Sequence, residues 1–290
     1  MNTKNKKILI LGGSSYIGQN LNNKFLKNNT LSTYKNTKIK NAVYFDFEKS
    51  KINDILKQYP NINKIIILGG IVRFSKVLKN KKKAYKINVS CIKKILSQIK
   101  SKEIIPIFFS SESVFDGKKG NYKENERPKP SFEYGFHKFE IEKYLINNFK
   151  KYKILRLAKV YDSKPSGNTL FMNWIKKIKN KETIICASDN YFNPIHIEDV
   201  CKISKKIIDS NVYGIFHLAS NQRLSRKNML DKLLKKIKTK NLSKIIIKYQ
   251  SLNSFKGAEN QPLDTSLNCD RTNKITGIKA KSIDFYIKKF

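Results

Sequence analysis

The fold of this chain is decided by the stretch Lys7-Ile8-Leu9-Ile10-Leu11-Gly12-Gly13-Ser14-Ser15-Tyr16-Ile17-Gly18. Its apolar first half predicts a buried strand, and apolar residues then continue at helical spacing after the glycines. Strand, glycine turn and helix form the context of a dinucleotide-binding corner, where the backbone approaches a pyrophosphate and a helix N-terminus offers free N–H groups. The stretch therefore predicts cofactor contacts from Gly12, Ser14, Ser15, Tyr16, Ile17 and Gly18. A βα corner without a nucleotide is the alternative.

The rest of the chain alternates short apolar runs with helical patterns. Strands are predicted at 7–11, 31–35, 42–46, 64–68, 104–109, 152–157, 183–187, 214–218 and 245–249. Helices are predicted at 16–28, 52–58, 82–99, 134–149, 168–179, 197–210 and 226–238. This alternation predicts an α/β fold, a Rossmann-like doubly wound parallel sheet with a smaller C-terminal substrate-binding region. We expect a dinucleotide-binding domain at 1–157 and a mainly substrate-binding region at 158–290, whose strand near 214–218 rejoins the sheet.

Three motifs follow predicted strands: the Gly12 turn, Leu68-Gly69-Gly70 and Ser110-Ser111. In doubly wound sheets ligands bind beyond the carboxyl ends of the strands, so the three motifs are expected to meet at one edge.

A serine, a tyrosine and a lysine are the candidate catalytic residues. Tyr134 and Lys138 are four residues apart in a predicted helix and therefore share a face. An ammonium beside a phenol lowers the phenol pKa from about 10 toward neutrality, which allows proton exchange with a substrate oxygen. Ser111 is expected to hold that same oxygen, and Tyr134 and Lys138 are also expected to contact the cofactor.

The charge of the chain is extreme, with a formal net charge of +38 over 290 residues. Most of the 60 basic residues are lysines spread over all the predicted helices, whereas nucleic-acid recognition relies on arginine. We therefore expect no specific nucleic-acid partner, and a field that attracts an anionic substrate. The four cysteines are isolated, which indicates a reducing cytoplasm and no metal site. No apolar run reaches the roughly 18 residues of a membrane span.

Taken in order, these motifs resemble the extended short-chain dehydrogenase/reductase family, in its sugar-nucleotide-binding branch of dTDP-4-dehydrorhamnose reductases. That branch has Gly-x-x-Gly-x-x-Gly at the first turn, then Ser-Thr-Asp-Tyr-Val-Phe-Asp-Gly and Tyr-x-x-x-Lys. Here Ser111 takes the threonine position. There are also departures: Ser15 replaces the middle glycine, Glu112 and Ser113 replace Asp-Tyr, and Gln261 replaces an arginine near the end.

The resemblance implies a cofactor site and an activity. It places Asp46 and Phe47 near an adenine, and Leu68, Gly69 and Gly70 beside the cofactor. The implied activity is NAD(P)H-dependent reduction of a nucleotide-linked 4-keto-6-deoxy sugar by Tyr134, Lys138 and Ser111. Lys35 ends the second predicted strand where an acid would hold a ribose 2′-hydroxyl, so NADPH is expected and NADH is the alternative.

Substrate contacts and partners are further expectations. The substrate candidates are Arg73, Glu112, Ser113, Asn168, Trp174 and Asn193, and for several of them surface or packing roles are the alternative. The resemblance also implies polysaccharide biosynthesis, and a homodimer is expected. An NAD-dependent sugar-nucleotide epimerase and a non-catalytic regulatory subunit of the same fold are the other functions left open; a dehydratase is disfavoured because Ser113 stands where its base would be.

Overall fold

The structure, a computed structural model, describes residues 7–26, 29–163, 169–237, 245–256, 258 and 261–288. The chain runs through β1 (Ile8–Leu11), α1 (Tyr16–Leu21), β2 (Thr30–Tyr34), β3 (Ala42–Tyr44), α2 (Ile52–Gln58), β4 (Lys64–Ile67), α3 (Phe74–Lys79), α4 (Lys81–Tyr85), α5 (Cys91–Ile99), β5 (Ile105–Ser111), α6 (Glu133–Asn148), β6 (Lys153–Leu157) and β7 (Val160–Tyr161). It continues through α7 (Leu170–Lys179), β8 (Ile184–Ala187), β9 (Tyr191–Phe192), β10 (Ile195–His196), α8 (Ile197–Asp209), β11 (Gly214–Leu218), β12 (Leu224–Ser225), α9 (Arg226–Lys236), β13 (Ile247–Gln250), α10 (Asp270–Thr276) and α11 (Ile283–Ile287).

Seven of these strands form one parallel sheet in the order β11-β6-β5-β4-β1-β2-β3. The chain moves outward in one direction from β1 to β3 and then returns to continue on the other side with β4. This reversal creates a crevice between β1 and β4 at their carboxyl ends, which is where ligands bind in such sheets. The predicted α/β, doubly wound fold is confirmed, and β11 pairs with β6 at the far edge.

The core explains why the central strands β1, β4 and β5 are mostly apolar. Alternate residues of β1 point to opposite faces, so Ile10 packs with α8 in one apolar cluster and Leu9 packs with α2 and α5 in another. A parallel sheet covered by helices on both faces buries both faces of its central strands, which removes the polar alternation of a half-exposed sheet. A third cluster joins α7, β8, α9 and α11.

Several predicted elements differ in detail from the structure. The runs predicted as strands at 183–187 and 245–249 form β8 and β13, which pair with each other in a separate two-stranded ribbon. The helix predicted at 16–28 is a short α1 followed by a π-helical turn, Asn22–Leu26, within the described part. The helices α3, α10 and α11 were missed because five to seven residues are too few to show a helical period.

Among the described residues, no helix combines the length and the apolar character that crossing a bilayer requires.

Candidate functional site

A cavity of about 470 Å³ lies at the crevice between β1 and β4. The backbone turn after β1 forms its floor, the ends of β2 and β4 form its walls, and Arg73 stands at its rim. The residues predicted to bind the cofactor that line it are Gly12, Ser14, Ser15, Lys35, Asp46, Phe47, Gly69 and Gly70. The other predicted contacts from this region, Tyr16, Ile17, Gly18 and Leu68, lie outside this lining.

The floor of this cavity depends on one glycine in a left-handed conformation. Gly12 has φ +88°, and a Cβ there would lie 2.7 Å from the backbone nitrogen of Gly69. The turns after β1 and β4 therefore touch through their backbones, which only a residue without a side chain allows. Ser15, which replaces a family glycine, accepts a hydrogen bond from the Gly18 N–H and so caps α1.

Lys35 and Asp46 form an ion pair on the wall of the same cavity. The Lys35 ammonium lies 3.0 Å from both carboxylate oxygens of Asp46. Burial disfavours the charged carboxyl, but the Glu48 N–H and the Lys35 ammonium outweigh that effect and lower the pKa of Asp46. The sequence placed both residues at the cofactor without revealing that they pair with each other.

These features fit a nicotinamide dinucleotide. The backbone of the Gly12 turn lies at the floor of the cavity, where phosphates can approach it closely. The Lys35 ammonium supplies a cation at the end of β2. The cavity also has apolar walls from Phe45, Phe47 and Val72 for a planar ring. Its size is in the range of pockets that hold small organic ligands.

A second cavity, of about 310 Å³, adjoins the first at Val72, which lines both. It is lined by Ser111, Glu112, Ser113 and Tyr134 on one side. Residues from beyond β6 and from the C-terminal part form the other side; they are Lys159, Asn190, Phe192, Arg226, Gln261, Pro262 and Thr265. The structure thus brings the predicted serine and tyrosine to one cavity beside the glycine-lined one.

Helix α6 carries the predicted tyrosine and lysine on one face. The Lys138 ammonium lies 5.7 Å from the centroid of the Tyr134 ring and donates a hydrogen bond of 2.7 Å to the carbonyl of Phe109. Gly135 lets α6 approach β5 closely, since a Cβ there would be 2.1 Å from the Ser113 carbonyl oxygen. This close packing fixes the height of Tyr134 above the end of β5.

The predicted effect of Lys138 on the acidity of Tyr134 is not what the structure shows. Partial burial raises the pKa of Tyr134 above its ordinary value, and the Glu112 carboxylate raises it further. Burial also lowers the pKa of Lys138 to about 8, against the pull of Glu142. The phenol in this state is therefore held protonated, and the expectation of a phenol made acidic by its neighbour is corrected.

A buried ion pair supports this region from below. Glu142 of α6 accepts hydrogen bonds from the Arg156 guanidinium at 2.8 to 3.2 Å and from the Ser110 hydroxyl at 2.5 Å. Both charged side chains are at most 1 % exposed. Because a buried charge is tolerated only when it is paired and hydrogen-bonded, this pair fixes α6 against β5 and β6.

Three charged groups face the second cavity. The Glu112 carboxyl is 6 % exposed, and its Oε2 has no hydrogen-bond partner. Burial raises the pKa of Glu112 to about 7, although Lys159 opposes the shift. Lys159 and Arg226 carried no signal in the sequence, because single cations are not distinctive in so basic a chain.

The remaining predicted substrate residues have other surroundings. Trp174 is 4 % exposed and packs in the apolar cluster of α7, and the Asn193 side chain accepts a hydrogen bond of 2.7 Å from the Leu267 N–H. Neither lines either of the two cavities. Arg73 faces the first cavity rather than the second. Asn168 lies outside the described residues.

Across the described ranges, no group of three or more histidine, cysteine or acidic side chains is placed to hold a metal ion. The four cysteines are buried and none of them forms a disulfide.

Comparison with known proteins gives matches over nearly the whole chain. The family profile described as "RmlD substrate binding domain" matches residues 6–290. Methionine adenosyltransferase 2 subunit beta of Bos taurus is 23% identical over 242 residues, which are 79% of this chain and 71% of that protein.

Two solved structures share the fold. A hypothetical dTDP-4-dehydrorhamnose reductase from Sulfolobus tokodaii has a TM-score of 0.83 at 24% identity, covering 96% of this chain and 98% of that one. A dTDP-4-dehydrorhamnose reductase from Bacillus anthracis, solved in complex with NADP, has a TM-score of 0.81 at 19% identity, covering 98% of both chains.

Proposed function

Because this chain belongs to the RmlD substrate-binding-domain family, we propose that it is an NAD(P)H-dependent reductase of a nucleotide-linked 4-keto-6-deoxy sugar. One observation carries the proposal: Ser111 and Tyr134 line a cavity that meets the glycine-lined cavity at Val72. A dinucleotide in the first cavity and a sugar in the second would then meet beside a hydroxyl and a phenol.

The cofactor proposed is NADPH, with NADH as the alternative. When bound, it supplies the hydride. Gly12, Gly69 and Gly70 would admit it at the turns after β1 and β4, and Phe47 would cover one of its rings. Lys35 favours the phosphorylated form, since a cation at the end of β2 suits a ribose 2′-phosphate.

The protein's own residues supply the proton for the reduction. Tyr134 donates its phenolic proton to the alkoxide oxygen that forms from the keto group, and Ser111 donates a hydrogen bond to that oxygen. Lys138 has further N–H groups besides the one that Phe109 accepts, so it can also bind a ribose hydroxyl. Positioned general acids of this kind contribute roughly 10²- to 10⁴-fold in rate.

The protonation state of Tyr134 fits a reduction. A reductase starts with a protonated phenol, and burial holds the pKa of Tyr134 above its ordinary value. The enzyme does not set the direction of the equilibrium, so the products of the screen with keto sugars decide between reduction and epimerisation.

A non-catalytic regulatory subunit is the second candidate, and the similarity to methionine adenosyltransferase 2 subunit beta favours it. Against it stands the side-chain set itself, since a chain without catalysis has no chemical need for a serine and a tyrosine at one cavity with a buried lysine beside the tyrosine ring. Stable association with another enzyme and no turnover would support this candidate.

The experiment is a screen of NADPH and NADH oxidation against dTDP-, GDP- and UDP-linked 4-keto-6-deoxy sugars. The proposal expects one of these sugars to be reduced with one cofactor consumed per sugar. Tightly bound NAD with epimerised product and no external cofactor consumed would instead identify an epimerase. Absence of turnover on every sugar would contradict both enzymes.

A further inference from the structure

Two cations face the second cavity without forming an ion pair. Lys159 and Arg226 line it and are half-buried. Among the ion pairs of the described residues, none includes either side chain. Burial lowers the pKa of both groups; for Lys159, the Glu112 carboxylate opposes this effect and Arg226 adds to it. Keeping two mutually repelling cations in a cavity is costly unless an anion joins them.

Arg226 is held in place by an uncharged neighbour. Its Nη2 donates a hydrogen bond of 2.8 Å to the Asn190 side-chain oxygen, and its backbone N–H donates to the Asn190 carbonyl. Its Nε is buried without a partner. Arg226 is also the first residue of the eleven-residue α9, at the positive end of that helix, where a cation is unfavourable. Asn190 thus orients the Arg226 guanidinium, while the Nε–H group is left without a hydrogen-bond acceptor.

Lys159 lies close to the predicted reaction centre. Leu157 pairs with Ser111 across β6 and β5, so Lys159 follows that pair by two residues. Its carbonyl accepts a hydrogen bond from the Ile195 N–H, which fixes the backbone at this point.

Glu112 is the one carboxyl among the described residues that line this cavity. The other charged and titratable groups that line the cavity are Tyr134 on α6, Lys159 beyond β6 and Arg226 on α9, and Glu112 interacts electrostatically with Tyr134 and Lys159. It forms no ion pair with either cation, and its Oε2 lacks a partner.

We propose that Lys159 and Arg226 form a subsite for an oxyanion of the substrate, and that the ionised Glu112 carboxylate competes with that oxyanion for the two cations. This inference rests on the proposed function, because it assigns a binding role within the same substrate cavity. The oxyanion is a phosphate of the sugar nucleotide; a carboxylate on the sugar is the alternative, and it would exclude a 6-deoxy sugar as the substrate. Protonation of Glu112 removes the competing charge and strengthens binding.

The test measures the dissociation constants of UDP-glucose, dTDP-glucose and UDP-glucuronate by calorimetry. The variants are Lys159→Gln and Arg226→Gln, and thermal unfolding checks that each is folded. Lys57→Gln, which removes an exposed lysine on α2, is the matched control for the overall positive field. Loss of a charge-assisted hydrogen bond predicts about 10- to 100-fold weaker binding for each subsite variant and little change for the control.

The outcomes separate the sources of the oxyanion. Equal weakening of all three ligands identifies a phosphate, and weakening of UDP-glucuronate alone identifies a sugar carboxylate, which contradicts the 6-deoxy sugar of the proposed function. Binding by both subsite variants within twofold of the wild type overturns the inference while leaving the proposed function intact. Failure of the wild-type protein to bind any of the three contradicts the inference, whereas the proposed function is tested separately by the screen of keto sugars.

The role of Glu112 is tested by pH. In the wild type, binding is expected to weaken from pH 6 to 8.5, by at most about tenfold per pH unit because one proton is linked. Glu112→Gln should bind equally well across this range and at pH 8.5 should exceed the wild type. A wild-type affinity that does not change with pH, or a Glu112→Gln variant that retains the wild-type pH dependence, refutes the competition.

Discussion

Replacing Glu112 with glutamine is expected to make the protein more stable at alkaline pH. Glu112 is buried at the second cavity, and burial raises its pKa from the ordinary value of 4.5 to about 7. Between those two values the folded state holds a proton that the unfolded state has released. Stability therefore falls as the pH rises through this window.

The magnitude follows from the size of the shift. At about 1.36 kcal/mol for each pKa unit, the wild type is expected to lose about 3 kcal/mol between pH 4.5 and pH 7, with no further loss from this group at higher pH. Glutamine keeps the shape of the protonated side chain and cannot ionise. The difference in stability between Glu112→Gln and wild type should therefore grow with pH and then level off.

Urea unfolding from pH 5 to pH 8.5 measures this difference, and subtraction removes the titration of all other groups. Glu103→Gln, at an exposed position, is the control for removal of a carboxylate without burial. Parallel curves for Glu112→Gln and wild type would show that Glu112 is not held protonated by its surroundings.

Three further changes test the geometry around the two cavities. Gly135→Ala should lower the free energy of unfolding by about 1–3 kcal/mol and displace the first turn of α6, because the added Cβ would meet the Ser113 carbonyl. An unchanged melting temperature would argue against this close packing. Glu142→Gln should destabilise the fold by about 3–5 kcal/mol in urea titrations, since Arg156 would keep a buried charge without its partner, and a loss below 1 kcal/mol would contradict that role. Lys35→Ala should weaken NADPH binding roughly 10- to 100-fold and NADH binding much less, whereas equal losses in fluorescence titrations of both cofactors would exclude a 2′-phosphate contact.

The fold could be predicted because its signals are local. The apolar runs of β1, β4, β5 and β6 are short and bounded by glycine or polar residues, and a parallel sheet requires such runs. The pairing of β8 with β13 could not be predicted, because the same apolar run suits a central sheet or a separate ribbon.

The site could be predicted from the sequence only where its residues stand at a characteristic spacing. Tyr134 and Lys138 stand out through their helical separation, and the glycine turns through their place after strands. Lys159 and Arg226 come to the cavity through tertiary packing of distant segments. The acidity of Tyr134 was predicted in the wrong direction because burial, which a sequence does not display, outweighs a nearby ammonium.

The most direct measurement is the rate of NADPH oxidation by Tyr134→Phe with the keto sugar found in the screen. Removal of the phenolic proton alone is expected to lower kcat by at least about 100-fold, while the dissociation constant for NADPH and the melting temperature stay close to wild type. A variant that still reduces the sugar at a near wild-type rate would show that this phenol is not the proton donor.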